Sequence, residues 1–155
     1  MSIRDRLHAL GIELPAPPQA VAAYVPAVIV GSLVYTSGQL PFSQGQLLAK
    51  GRVGREVTPE AAYQAARQCA LNALSVAGAA LGDVDHIRRV VKVVGYVQSS
   101  EDFHEQPAVI NGASELFAEL FGEAGQHARS AVGVIALPMN ASVEVEVIFE
   151  TDWGA

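Results

Sequence analysis

Residues 143–150 read V-E-V-E-V-I-F-E, and an alternation this regular fits an extended strand with two unlike faces. Val143, Val145, Val147 and Phe149 share one face; Glu144, Glu146, Ile148 and Glu150 share the other. The apolar face has to lie against a core, so the chain is expected to build a sheet covered on at least one side. Upstream, Arg129 stands among small apolar residues at the start of a second strand-like run, 127–137, which Leu137-Pro138 interrupts. An arginine in such a setting usually meets a carboxylate or phosphate, because its planar fork binds two oxygens at once. Two readings are open. Arg129 and Glu144, at the mouth of one sheet, bind an anionic small molecule and direct a water at it; or the two form a structural ion pair.

The rest of the chain supplies the partners of that sheet. Ser2 can cap a short helix over residues 2–10, with Asp5 in its first turn and Gly11 after its end. Leu14-Pro15-Ala16-Pro17-Pro18 then forces an extended arm. Residues 27–30 and 33–37 flank Gly31-Ser32, which predicts a hairpin with a glycine-first turn of the II′ kind. A glycine-bearing loop (Gly45, Gly51, Gly54) leads to Thr58-Pro59-Glu60, the start of a long helix running to about Leu81. Its stripe of Ala62, Ala66, Cys69, Ala73, Val76, Ala77 and Ala80 is small enough to lie close to a sheet.

Arg89 to Gln98 is expected to be a central strand, with Val91, Val93 and Val97 on one face and Val90, Val94 and Tyr96 on the other. Apolar on both sides, it needs cover on both. Pro107 opens a second long helix with Val109, Ile110, Ala113, Leu116, Phe117 and Leu120 along one face, ending at Gly122. Asn111-Gly112 has the look of a turn, but the apolar stripe runs through it, so the helix is expected to continue. Hairpin, helix, strand, helix, two strands is an α+β order with both long helices on one sheet face. The other face then lacks a cover within the chain, and identical subunits are its simplest source.

Composition narrows the function. At 155 residues the chain suits one domain. A formal charge of −6 without a Lys/Arg run disfavours nucleic acid as a main partner. No stretch of about 20 apolar residues predicts a membrane span, and the first residues form no signal-like segment, so the expected location is cytoplasmic. Cys69 is the single cysteine and reads as a buried filler of its helix. His8, His86, His104 and His127 form no H-x-H or H-E-x-x-H pair, so no metal site is expected. There is no phosphate loop, dinucleotide fingerprint or nucleophile elbow. Taken singly, Ser37 reads as a turn residue and Tyr24 as packing.

Together, however, Tyr24, G-S-L-V-Y-T-S-G-Q-L-P (Gly31–Pro41), A-R-S (Ala128–Ser130), Leu137-Pro138 and V-E-V-E (Val143–Glu146) resemble the Rid family, the YjgF-like reactive-intermediate deaminases formerly called L-PSP endoribonucleases. The resemblance spans residues 20 to 150. L-G-I-E-L-P, R-Q-C-A-L-N and V-I-N-G-A-S-E-L-F make the whole chain similar to a longer branch of that family. The resemblance divides the chain into an N-terminal helix and arm (1–19) and one domain (20–155). It implies a chorismate-mutase-like α+β fold, assembled as a homotrimer with clefts between subunits.

It also implies a site. Arg129 would grip a substrate carboxylate, and Glu144 would hold or polarise a water. Tyr24, Ser37 and Asn111 would line the cleft, and the carbonyl of Ala131 would face an imine nitrogen. The implied reaction is hydrolysis of 2-imino acids to 2-oxo acids and ammonia, with no cofactor or metal. A non-catalytic trimer that binds 2-oxo acids uses the same Arg129 and is the alternative; the acidic charge and the lack of a His/Lys catalytic set argue against a ribonuclease. The chain departs from the common pattern at Ala22-Ala23 (often Gly-Pro), at His127 (often proline) and at Gly133 (often acidic).

Overall fold

The computed structural model describes residues 1–19 and 23–154. Ala22 and the expected arm–body boundary at 19/20 lie at residues outside that description. Helix α1 (Ile3–Ala9) opens with a reciprocal cap: Ser2 Oγ accepts from the Asp5 amide, and the Asp5 carboxylate accepts from the Ser2 amide. Ile3 and Leu7 bury the helix against the body, and Arg4 pairs with Asp83 at 2.9 Å. The arm that follows, residues 12–19, forms neither helix nor strand. Ile12 and Leu14 pack on the core, and Ser75 Oγ donates to the Pro15 carbonyl at 2.5 Å.

Strands β1 (Ala27–Val30) and β2 (Leu33–Thr36) form the expected hairpin. Gly31 has φ +59° while Ser32 stays out of the left-handed region, the pattern of a II′ turn. The next loop contains a ribbon that the sequence did not reveal, β3 (Phe42–Ser43) with β4 (Gln46–Leu47). Gln44 and Gly45 both take positive φ at its tip. Helix α2 (Pro59–Leu81) starts on Thr58, whose Oγ1 accepts from the Ala61 amide at 3.1 Å, and stops at Gly82. Strand β5 (Ile87–Gln98), helix α3 (Gln106–Phe121), strand β6 (Ala128–Val134) and strand β7 (Val143–Thr151) complete the chain. No helix among the described residues is long and apolar enough to cross a membrane.

The main sheet of the described residues has the order β1-β2-β7-β5-β6. β5 and β6 are parallel, with α3 as their crossover; the other pairs are antiparallel. Two expectations change here. β7, not β5, is the middle strand. The run 127–137 is strand only to Val134, because the Leu137 amide turns to the buried Gln98 side chain at 2.7 Å and a 3-10 turn, Pro138–Asn140, follows.

The facing of β5 also differs from simple alternation. Val90 pairs with Phe149 and Lys92 with Ile148, so Val91 is an extra residue in a bulge. Val90 therefore joins Val93 and Val97 on the covered side, all three fully buried. α2 and α3 lie together on that side. Phe149 meets Phe117 of α3 edge to face there, ring centroids 5.7 Å apart. The opposite side of the sheet, carrying Val28, Val30, Tyr35, Glu144, Glu146 and Ile148, has no layer over it among the described residues.

Candidate active site

Strand register decides where each candidate side chain goes. Val93 of β5 is the partner of both Arg129 on β6 and Val147 on β7, and Tyr96 is the partner of Glu144. Val93 and Tyr96 are three residues apart on a stretch without a bulge, so they face opposite ways. Arg129 therefore emerges on the helix-covered side and Glu144 on the open side. The structural ion pair between them is overturned: the sheet separates the two side chains.

Arg129 is half-buried and is held by α3. Its Nη1 donates to Asn111 Oδ1 at 2.8 Å and to Ser114 Oγ at 3.1 Å. Asn111 and Ser114 stand three apart on α3 and so share a face of the helix. Ala131 lies two residues beyond Arg129 on the same side of β6, half-buried against the core. His127 borders this group, its Nδ1 donating to the Ala128 carbonyl at 3.1 Å and its ring edge-on to Phe117. Burial, and after it the Arg129 charge, pushes the His127 pKa down against the opposing pull of that hydrogen bond.

Glu144 belongs to a second group, at the end of β2. Its Oε1 lies so near Gly38 that an added Cβ would stand 2.6 Å away, so a glycine is needed for this carboxylate to approach the backbone. Ser37 Oγ donates to the Val25 carbonyl at 2.7 Å, tying the segment that carries Tyr24 to the end of β2. Tyr24 itself is 54% exposed. On the open face beside Glu144, the Tyr96 hydroxyl donates to Glu146 Oε1, and that bond chiefly holds the phenol pKa up to about 12. Burial, with the Glu146 charge behind it, raises the Glu144 pKa above the usual glutamate range.

The six expected residues thus fall into two halves. Asn111, Arg129 and Ala131 line the covered side of the β6 edge; Glu144 and Ser37, with Tyr24 tied nearby, belong to the open side. Sequence reasoning missed Ser114, Gly38 and the Tyr96–Glu146 pair. Ser114 had a signal in its spacing from Asn111, and Gly38 in its place directly after Ser37. Cys69 is fully buried, with Sγ 3.8 Å from the Val143 carbonyl, and burial drives its pKa well up, away from thiolate chemistry.

A mixed five-stranded sheet with two long helices on one face, and with polar residues gathered at one edge and on the bare face, defines an α+β domain of the chorismate-mutase-like kind. The chain belongs to the YjgF/chorismate mutase-like family, whose model also carries an endoribonuclease label and matches residues 4–151. It is 46% identical to protein TCP17 of Trypanosoma cruzi over 96% of this chain and 93% of that one. It is 34% identical to a 2-iminobutanoate/2-iminopropanoate deaminase of Dermatophagoides farinae, over 88% and 92%. The crystal structure of Atu1372 from Agrobacterium tumefaciens, a protein of unknown function, superposes with a TM-score of 0.89 at 51% identity, over 97% of this chain and 94% of that one.

Proposed function

We propose that this protein hydrolyses reactive 2-imino acids to 2-oxo acids and ammonia, in clefts that form between copies of the chain. The observation that carries the reading is a placement: Arg129 emerges on the covered side of an edge strand and Glu144 on a bare sheet face. One copy's β6 edge set against the next copy's open face brings the halves together. Exposed Val28, Val30 and Tyr35 on that face support such a contact, and a closed ring of three copies is the assembly we infer. The relatives named as 2-imino acid deaminases support the reaction class.

The chemistry asks for positioning more than for activation. Arg129 takes the substrate carboxylate in a two-point contact. The imine carbon is already electrophilic, so a water held by Glu144 needs only to be aimed at it. Glu144 accepts a proton as the C–O bond forms and returns one to the nitrogen. The hydroxyl proton of the carbinolamine then passes to its nitrogen as the C–N bond breaks, which releases ammonia and leaves the 2-oxo acid. A raised pKa suits a carboxyl that both takes and gives a proton. Ser37 keeps Tyr24 at the cleft wall, and Ala131 lends its carbonyl to the imine N–H.

The test is the decay of 2-iminopropanoate released by an amino-acid oxidase. The protein should shorten the lifetime of the imine well beyond that in buffer. A protein that binds pyruvate yet leaves the decay unchanged is a carboxylate binder, and the enzymatic reading fails.

A further inference from the structure

Arg129 has already spent one of its nitrogens. Nη1 carries two N–H groups and meets two acceptors, Asn111 Oδ1 at 2.8 Å and Ser114 Oγ at 3.1 Å. Among the described residues Nε and Nη2 have no acceptor. A guanidinium offers a carboxylate two edges: Nη1 with Nη2 at its tip, or Nε with Nη2 along its side. With Nη1 engaged, the side edge is the one that still presents two parallel N–H groups.

We propose that Ser114 is a positioning residue of the anion site. Together with Asn111 it locks Nη1, so that the substrate carboxylate is received by the Nε/Nη2 edge of Arg129. The proposal rests on the reading of Arg129 as the carboxylate anchor. A single acceptor would let the guanidinium plane pivot about one hydrogen bond; two acceptors from successive turns of one helix fix the plane. Asn111 and Ser114 are set by the backbone of α3, which is held on the sheet through the buried Val109, Ile110, Ala113 and Leu116. The anchor's orientation is therefore as rigid as the helix, which favours a tight two-point contact by removing freedom before the ligand arrives.

The experiment uses the full chain and two probes, pyruvate and 2-oxobutanoate. Calorimetric titrations would compare wild type, Ser114→Ala, Ser114→Thr and Arg129→Ala, with thermal melts alongside. The Arg129 Nε–H signal in proton–nitrogen NMR, assigned by its loss in Arg129→Lys, reports which edge is used. The expected results are binding by wild type, loss of binding in Arg129→Ala, and binding about tenfold weaker in Ser114→Ala, as for one hydrogen bond to a charged group. Ser114→Thr, which keeps the hydroxyl, should restore binding, and the Nε–H signal should shift as the probe saturates.

Ser114→Ala binding as tightly as wild type, no rescue by threonine, or an Nε–H signal that stays put at saturation overturns the positioning role, even while loss of binding in Arg129→Ala upholds the anchor. Binding that survives Arg129→Ala, or a wild type that binds neither acid, removes the anchor and the positioning role together. If Ser114→Ala does not fold, the threonine variant and the wild-type NMR shift still decide.

Discussion

Gly112 of α3 lies directly against the backbone carbonyl of Tyr63 on α2, so close that a methyl group at this position would overlap the carbonyl oxygen. The two long helices touch here backbone to backbone. Alanine is the better helix former by about 0.8–1.0 kcal/mol, yet Gly112→Ala should destabilise the protein. Overpacking costs roughly 1–3 kcal/mol, and a neighbouring backbone yields less readily than a side chain. Separation of the helices would also displace Asn111, so 2-oxo acid binding should weaken in step. Chemical denaturation and calorimetry on the variant measure both; a more stable Gly112→Ala protein contradicts the account.

Arg129 and Glu144 should lose different functions when changed. Arg129→Ala is expected to abolish binding of pyruvate, and Arg129→Lys to recover only part of it, since an ammonium lacks the planar fork. Glu144→Gln should lower turnover of 2-iminopropanoate by about 100-fold or more, the usual range for a positioned acid–base group, with little change in pyruvate affinity. Steady-state rates and titrations on the three variants separate the two roles. An Arg129→Ala protein that binds like wild type removes the anchor.

The raised pKa of Glu144 fixes the sign of a pH effect. Burial, then the Glu146 charge, makes the folded state bind this proton more readily than the unfolded chain does. The penalty is therefore absent below the ordinary glutamate pKa, grows as pH rises through the folded value, and is complete above it. Glu144→Gln removes it. The melting temperature of the variant relative to its parent should rise from pH 4 towards neutrality. Made in an Arg129→Ala background, the comparison leaves out that arginine on any neighbouring copy. A variant that loses ground as pH rises would show that Glu144 is favourably paired within the chain.

Much of this was legible in the sequence because it depends on local rules. Ser2 and Thr58 cap where their side chains predict, and the α3 stripe overrides Asn111-Gly112. The glycine there answers a contact with another helix, which no local signal encodes. Strand order was not legible: β5 and β6 are made neighbours by a crossover through α3, and periodicity says nothing about which strands pair. The facing of Val90 was lost for a similar reason, since the bulge at Val91 exists only against β7. The candidate site residues were named from motifs that resemble a family's. That Arg129 and Glu144 point to opposite sides emerged only with the register, because parity along one strand has no meaning relative to another until they pair.

The division of the site over two sheet faces has a genetic consequence. If each working cleft draws Arg129 from one copy and Glu144 from the next, a chain damaged in one half can be complemented by a chain damaged in the other. Arg129→Ala and Glu144→Gln proteins, each inactive alone, should regain activity when unfolded, mixed in equal amounts and refolded together. In a closed ring assembled at random, about a quarter of the clefts would receive both intact halves, whatever the number of copies. A fold whose whole site lay within one chain would show no such recovery. Two alleles, one broken at Arg129 and the other at Glu144, would then be less harmful together in one cell than either is alone.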